Sequence, residues 1–275
     1  MSEIGVVHLV RARNGIEPFN RFLTSYMQNP GGLSHDLLIV FKGFTGRKSL
    51  SPYKELLIGI PHESLFIADF GFDIRAYFKA ARTFRQRYFC FLNSFSEIID
   101  RNWLVKFYEH ISRIDVGLVG ATGSYESAFT NGFLQMDKDA QVLRRLANTA
   151  WVKMLRAYFD PFPNYHIRTN GFMMARDTML KIRTDFIVTK MGAHRFESGR
   201  DSLTKQVLHM NLKALIVGKD GRGFDKEVWP QSLTFRLGSQ DNLLISDNQT
   251  KAYLASNQEA RKRLARYSWG DFAVF

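Results

Sequence analysis

Residues 1–120 constrain the fold more than any other part of the chain, because short apolar runs alternate there with amphipathic stretches. Residues 4–10, 36–41, 64–68, 88–92 and 116–119 each read as a buried strand. Between them, 17–28 reads as a helix with Phe19, Phe22, Leu23 and Tyr26 on one face, stopped by Asn29-Pro30-Gly31-Gly32. Residues 50–58 read as a short helix and 73–85 as another with Asp73 at its cap; 96–111 is a further helix. Strand and helix in alternation predict an α/β fold: a mainly parallel central sheet with helices on both faces.

The second half is less regular. Residues 139–158 form an amphipathic helix closed by Asp160-Pro161-Phe162-Pro163. YHIRTNGFMMARDTML (165–180) is an apolar extended stretch interrupted by Arg168, Thr169 and Asn170. RFESGRDSLTKQVL (195–208) reads as a loop with two carboxylates entering a helix; 213–217 is a late strand, followed by GKDGRG at 218–223. A helix rich in Arg and Lys at 257–266 lies near the end. No repeat, low-complexity tract or linker divides the chain, so 1–275 is expected to be a single domain.

Composition narrows the partners. Hydrophobic residues at 45% and charged residues at 23% are those of a globular protein, and no apolar run approaches the ~18 residues of a membrane span. MSEIGVVHLVRARNG lacks the pattern of a signal peptide, and Cys90 is the only cysteine, inside an apolar strand. A reducing cytoplasm is therefore expected, and Asn248-Gln249-Thr250 is a chance sequon. The formal charge of +12 favours an anionic partner: nucleic acid, an acidic membrane or a phosphorylated small molecule. Zinc-finger and RRM signatures are absent, so no nucleic acid is expected; a basic nucleic-acid-binding protein is the weakest alternative and rests on charge alone.

In parallel sheets of this kind, ligands bind at the carboxyl ends of the strands. Polar residues gather at those ends: His8, Arg11 and Arg13 after the first strand, Asp69 and Gly71 after the third, Asn93 and Ser94 after the fourth. The fifth runs into Gly120-Ala121-Thr122-Gly123-Ser124-Tyr125-Glu126-Ser127. His166, Arg168 and Asn170 alternate with Ile167 and Thr169, so on a strand they share one face, suited to hydroxyls or phosphate; the plain alternative is an exposed edge.

FCFLNSFSEI (89–98), VGLVGATGSYES (116–127), NYHIRTNGFMMAR (164–176), RFESGRDSLTKQVL (195–208) and DNLLISDNQT (241–250), in this order, resemble a group of bacterial GT-A-type glycosyltransferase-like proteins associated with polysaccharide assembly. The resemblance covers most of the chain. It implies a Rossmann-like α/β domain that binds a nucleotide-diphospho-sugar and transfers the sugar to the hydroxyl of a glycan or lipid-linked acceptor. It implies a nucleotide-binding half at 1–120 and an acceptor half with a C-terminal tail at 121–275. The donor-binding positions carried over are His8, Arg11, Arg13 and Asp69. The metal-binding Asp-x-Asp of that group falls on Asn93-Ser94-Phe95 or Ser94-Phe95-Ser96, where no carboxylate stands. Asn and Ser oxygens are poor ligands for a hard divalent cation, so no metal ligand is assigned, although a divalent metal still belongs to the group's chemistry.

Without that metal, cations and backbone N–H groups must neutralise the leaving diphosphate. Lys219 and Arg222 in GKDGRG have the composition for it; a surface turn is the competing reading. A carboxylate base is also needed to take the acceptor's proton. Asp201 is the first candidate, either base or helix cap; Glu197 is the second and Glu126 the third. His194 and His209 stand alone, without metal-ligand spacing. A catalytically inactive relative that binds nucleotide-sugar or glycan is the alternative function. The tail places Arg261, Lys262, Arg263 and Arg266 near Leu264, Tyr267, Trp269 and Phe272, fit either for peripheral contact with an anionic membrane at its inner face or for docking on the core.

Overall fold

The computed structural model describes residues 2–134 and 151–272. Its centre is an eight-stranded sheet in the order β11-β10-β6-β9-β4-β1-β2-β3. These strands are β1 (Ile4–Arg11), β2 (Asp36–Lys42), β3 (Glu63–Ile67), β4 (Tyr88–Leu92), β6 (Val116–Gly120), β9 (Gly171–Ala175), β10 (Lys213–Val217) and β11 (Gly223–Phe224). β1 runs parallel to β2 and β4, β2 to β3, and β6 to β10; β9 lies antiparallel between β4 and β6. The architecture is mixed α/β, with a mostly parallel sheet flanked by helices.

Both faces of the sheet are covered, which explains the continuous apolar runs. Val7, Leu9, Phe89 and Phe91 pack under helix Asp73–Thr83 on one face. Ile4, Val6, Val10, Cys90 and Leu92 pack under helices Glu17–Gln28 and Trp103–Ile111 on the other. Strand order reverses between β1 and β4, so their carboxyl ends diverge from a shared crevice.

Several local expectations are corrected. The 96–111 segment is not one helix: β5 (Glu97–Ile98) pairs with β12 (Ile245–Ser246), and the helix begins at Trp103. The 50–58 helix is displaced to Arg47–Glu55. Asp73 does not cap its helix; Phe72 occupies that position, and the Asp73 carboxylate turns toward Lys42 and Arg11. The strand at His166 ends after one further residue: β8 (His166–Ile167) pairs with β7 (Gly123–Ser124), and Arg168, Thr169 and Asn170 turn into β9. Most of the 139–158 helix lies outside the described residues, of which 151–158 are helical.

Candidate active site

A cavity of about 760 Å³ opens at the carboxyl ends of β1 and β4. Arg11, Asn93, Ser94, Glu126, His166, Arg168, Asn170 and Glu197 all line it, drawn together from five separated segments.

Arg11, at the end of β1, donates from Nε and Nη2 to Asp69 Oδ1 at 2.9 and 2.7 Å. Behind it the Lys42 ammonium, at 0% exposure, donates to the Gly71 carbonyl at 2.7 Å and stands 3.6 Å from Asp73. Burial lowers the Lys42 pKa, while Asp73 and Asp69 oppose the shift. Gly43, at φ +78°, permits this packing, since a Cβ there would come within 2.8 Å of the Asp69 Cβ.

The opposite wall is a network around Arg168. Its Nη2 meets Asp247 Oδ2 at 2.6 Å, its Nη1 donates to Thr122 Oγ1 at 3.2 Å, and its guanidinium lies 4.1 Å from the Phe235 ring centroid. Arg236 also lies against Phe235 and pairs with Glu126 at 3.2 Å. Asn170 is buried at 1% exposure; its Oδ1 accepts from Thr122 and its Nδ2 donates to the Ile245 carbonyl. It shapes the wall, with little of its side chain left to offer a ligand. His166 Nδ1 faces the Asn164 carbonyl at 2.9 Å, so that nitrogen carries the proton; burial lowers its pKa to about 4.

Asn93, at the Asp-x-Asp position, is occupied locally: its Oδ1 accepts from the Phe95 N–H at 2.8 Å and from the Ser96 hydroxyl at 3.2 Å. A divalent cation would find one neutral hydroxyl there, Ser94, and no carboxylate. The cleft carboxylates Asp73, Glu126 and Asp247 each face a cation of the chain, and no group of three metal-ligating side chains occurs among the described residues. The residues present do not fit a metal at this strand end.

Glu197 differs from the other cleft carboxylates. It projects from the last turn of helix Lys190–Ser198 and has no ion pair within 4 Å among the described residues. Its side chain is open to the cleft, yet the walls enclose it. Desolvation pushes its carboxyl upward, Arg168 opposes the shift, and Asp73 adds to it. Two buried hydroxyls lining the same cleft have no partner: Tyr77 Oη at 1% exposure and Ser94 Oγ at 4%. Buried polar atoms without partners are uncommon.

The remaining sequence candidates lie elsewhere. Asp201 pairs with Arg195 at 2.5 Å and lines a separate cavity of about 280 Å³ together with His209. Nor does Asp201 cap the following helix: Ser202 does, accepting from Lys205 N. Lys219 and Arg222 sit in the β10–β11 hairpin turn, where Arg222 is paired with Asp220, away from the cleft lining. His8 is fully buried against helix Glu17–Gln28, stacked on Phe22 at 3.6 Å between ring centroids, and Arg13 is exposed outside the cleft. The tail folds back on the core: Trp269 is at 0% exposure and donates from Nε1 to the Phe235 carbonyl at 2.6 Å.

Tyr77, Arg236, Asp247 and Asp73 complete the site and were not assigned to it from sequence. Asp247 lies within DNLLISDNQT, a segment already singled out; Arg236 had no signal, since its left-handed φ of +49° appears only in the fold.

No family model matches the chain, and no curated protein sequence matches it. Among solved structures it is similar to the mannosyltransferase PcManGT from Pyrobaculum calidifontis in complex with GDP-Man and Mn2+, at 13% identity and TM-score 0.47 over 96% of this chain and 68% of that one. It is similar to 4-diphosphocytidyl-2C-methyl-D-erythritol synthase from Anaerococcus prevotii, at 9% identity and TM-score 0.46 over 78% and 87%. The match to S. aureus TarS 1–349, at 11% identity and TM-score 0.35, covers 44% of this chain and spans only 35% of that one. At TM-scores below 0.5, none of these likenesses assigns a chemistry.

Proposed function

We propose that this protein is a GT-A-like glycosyltransferase that moves a sugar from a nucleotide-diphospho-sugar to an acceptor hydroxyl, in the assembly of a bacterial surface polysaccharide in the cytoplasm. The observation that supports it most is Glu197: a carboxylate with no ion pair within 4 Å among the described residues, its pKa raised by desolvation against the pull of Arg168 and a hydrogen bond to Thr169, facing a polar cleft at the switch point of a parallel sheet. Such a group is suited to general-base work near neutral pH.

In this reading Glu197 takes the proton of the acceptor hydroxyl as its oxygen bonds to the anomeric carbon. The bond from that carbon to the diphosphate oxygen breaks, and the nucleoside diphosphate leaves with the electron pair. Arg11 and Arg168 supply cationic N–H donors at the leaving group, and the Tyr77 and Ser94 hydroxyls bind sugar oxygens. The mechanism uses no metal. Residues 1–120 would hold the nucleotide and 121–275 the acceptor, as one domain.

A second reading, binding without transfer, draws on the same arginines: Arg11, Arg168 and Arg236 are already engaged by carboxylates. A thermal-shift screen of UDP- and GDP-sugars, with and without Mg2+ or Mn2+, followed by assay of nucleoside diphosphate release, separates the two. Release supports transfer, binding without release supports the second reading, and no binding by any nucleotide-sugar overturns both.

A further inference from the structure

Helix Asp73–Thr83 stands between two cavities. Tyr77 and Asp73 line the cleft, whereas Phe78 lines a second groove of about 550 Å³, and Ile74 borders both. The groove is apolar where Ile74, Phe78 and Ile187 line it. Along its rim, Arg75, Lys79 and Arg82 are all exposed and follow one stripe of the helix at steps of four and three residues. Lys79 and Arg82 make no ion pair among the described residues. The Arg75 guanidinium lies 5.1 Å from the ring centroid of Phe70, which is 75% exposed. The acid on the rim, Asp185, is bonded to Arg183.

An apolar hollow, an exposed ring and a row of unneutralised cations match an amphiphile with an anionic head. An acidic peptide would satisfy the charges but leave the hollow and Phe70 in water. A second copy of this chain, at +12, would bring cations against cations. We propose that this groove docks the protein on an anionic lipid bilayer, with lipid phosphates at Lys79 and Arg82 and the Phe70 ring in the interface. Because Ile74 borders both cavities, docking holds the cleft beside the leaflet. That a membrane-anchored acceptor gains from this rests on the transfer reading; the docking does not.

Co-sedimentation of the full chain tests it, with vesicles of phosphatidylcholine alone or mixed with phosphatidylglycerol. The wild type should pellet with the mixed vesicles, be released by salt, and stay in the supernatant with phosphatidylcholine. Lys79→Gln and Arg82→Gln should each lower partitioning about fivefold. Phe70→Ser should lower it with the charge unchanged, and Arg263→Gln with Arg266→Gln on the C-terminal helix should leave it intact. Absence of pelleting, equal loss in the C-terminal control, or indifference to Phe70→Ser would overturn the proposal. An oligomer dispersed by the same rim substitutions would instead identify a second copy as the occupant. Vesicle binding in a protein that binds no nucleotide-sugar would leave docking standing and remove the transfer reading.

Discussion

Asp247 joins Arg168 at 2.6 Å while its other carboxylate oxygen caps helix Asn248–Ala255, accepting from Thr250 N at 2.9 Å. One side chain thus fixes both a cleft cation and a helix start. The pair is nearly buried, at 11% and 2% side-chain exposure, so removing one partner strands a charge. Asp247→Ala is expected to cost about 3–5 kcal/mol of stability. Asp247→Asn, which can still accept at the cap, should cost less. Urea unfolding of both variants checks the order.

Glu197→Gln should lower turnover by ~10²-fold or more and barely change donor affinity, because the base acts only on the acceptor's proton. The raised carboxyl pKa moves the acid limb of the wild-type pH–rate profile to higher pH than an unperturbed carboxylate would give, with activity falling as pH drops through it. Asp201→Asn, outside the cleft, should stay active. A fully active Glu197→Gln enzyme would remove that residue from the chemistry.

Tyr77→Phe separates ligand binding from stability. The buried hydroxyl has no partner, so its loss should leave the free protein as stable or up to about 1 kcal/mol more stable. The stabilisation conferred by a bound nucleotide-sugar should shrink. Thermal melts with and without ligand read both signs in one experiment.

His8 carries the acid sensitivity of the sheet. Desolvation lowers its pKa to about 3 in the folded chain, from 6.5. The unfolded chain therefore takes the proton first as pH falls. The stability linked to neutral His8 is full above pH 6.5 and is lost as pH falls toward 3. His8→Leu should flatten the loss of stability between neutral and mildly acidic pH, measured by urea midpoints across that range.

Donor binding should survive EDTA, because Asn93 spends its oxygen on the Phe95 and Ser96 donors and Ser94 offers a neutral hydroxyl. Isothermal titration with and without chelator decides this; a strict requirement for Mg2+ or Mn2+ would point to carboxylates recruited from their present ion pairs.

The strands 88–92 and 213–217 and the helix 17–28 were legible residue for residue, since each carries its own period and its own stop signal. β5, β7, β8 and β12 were not, because two-residue strands have no period and exist only through their partners. Cleft residues at strand ends, such as Arg11, Asn93 and Ser94, were readable from the rule that ligands meet parallel sheets at that edge. That Asp201 lines a separate cavity was not legible, for a related reason. A polar residue near a helix end looks the same in sequence whether it faces the cleft, as Glu197 does from the last turn of its helix, or lines another cavity, as Asp201 does.

What the sequence determined by itself is the alternation of buried strand and amphipathic helix, and with it a mostly parallel sheet covered on both faces. It also determined that no carboxylate stands at residues 93–96, directly after β4. Only the tertiary structure decided which charges remain unspent. Arg11, Arg168 and Arg236 are claimed by Asp69, Asp247 and Glu126, residues 58, 79 and 110 positions away. Glu197 is left without such a partner, and Tyr77 without a bond for its hydroxyl. Local sequence encodes the periodicity that buries a face, whereas ion pairing depends on through-space distances of a few ångströms that only the completed fold sets.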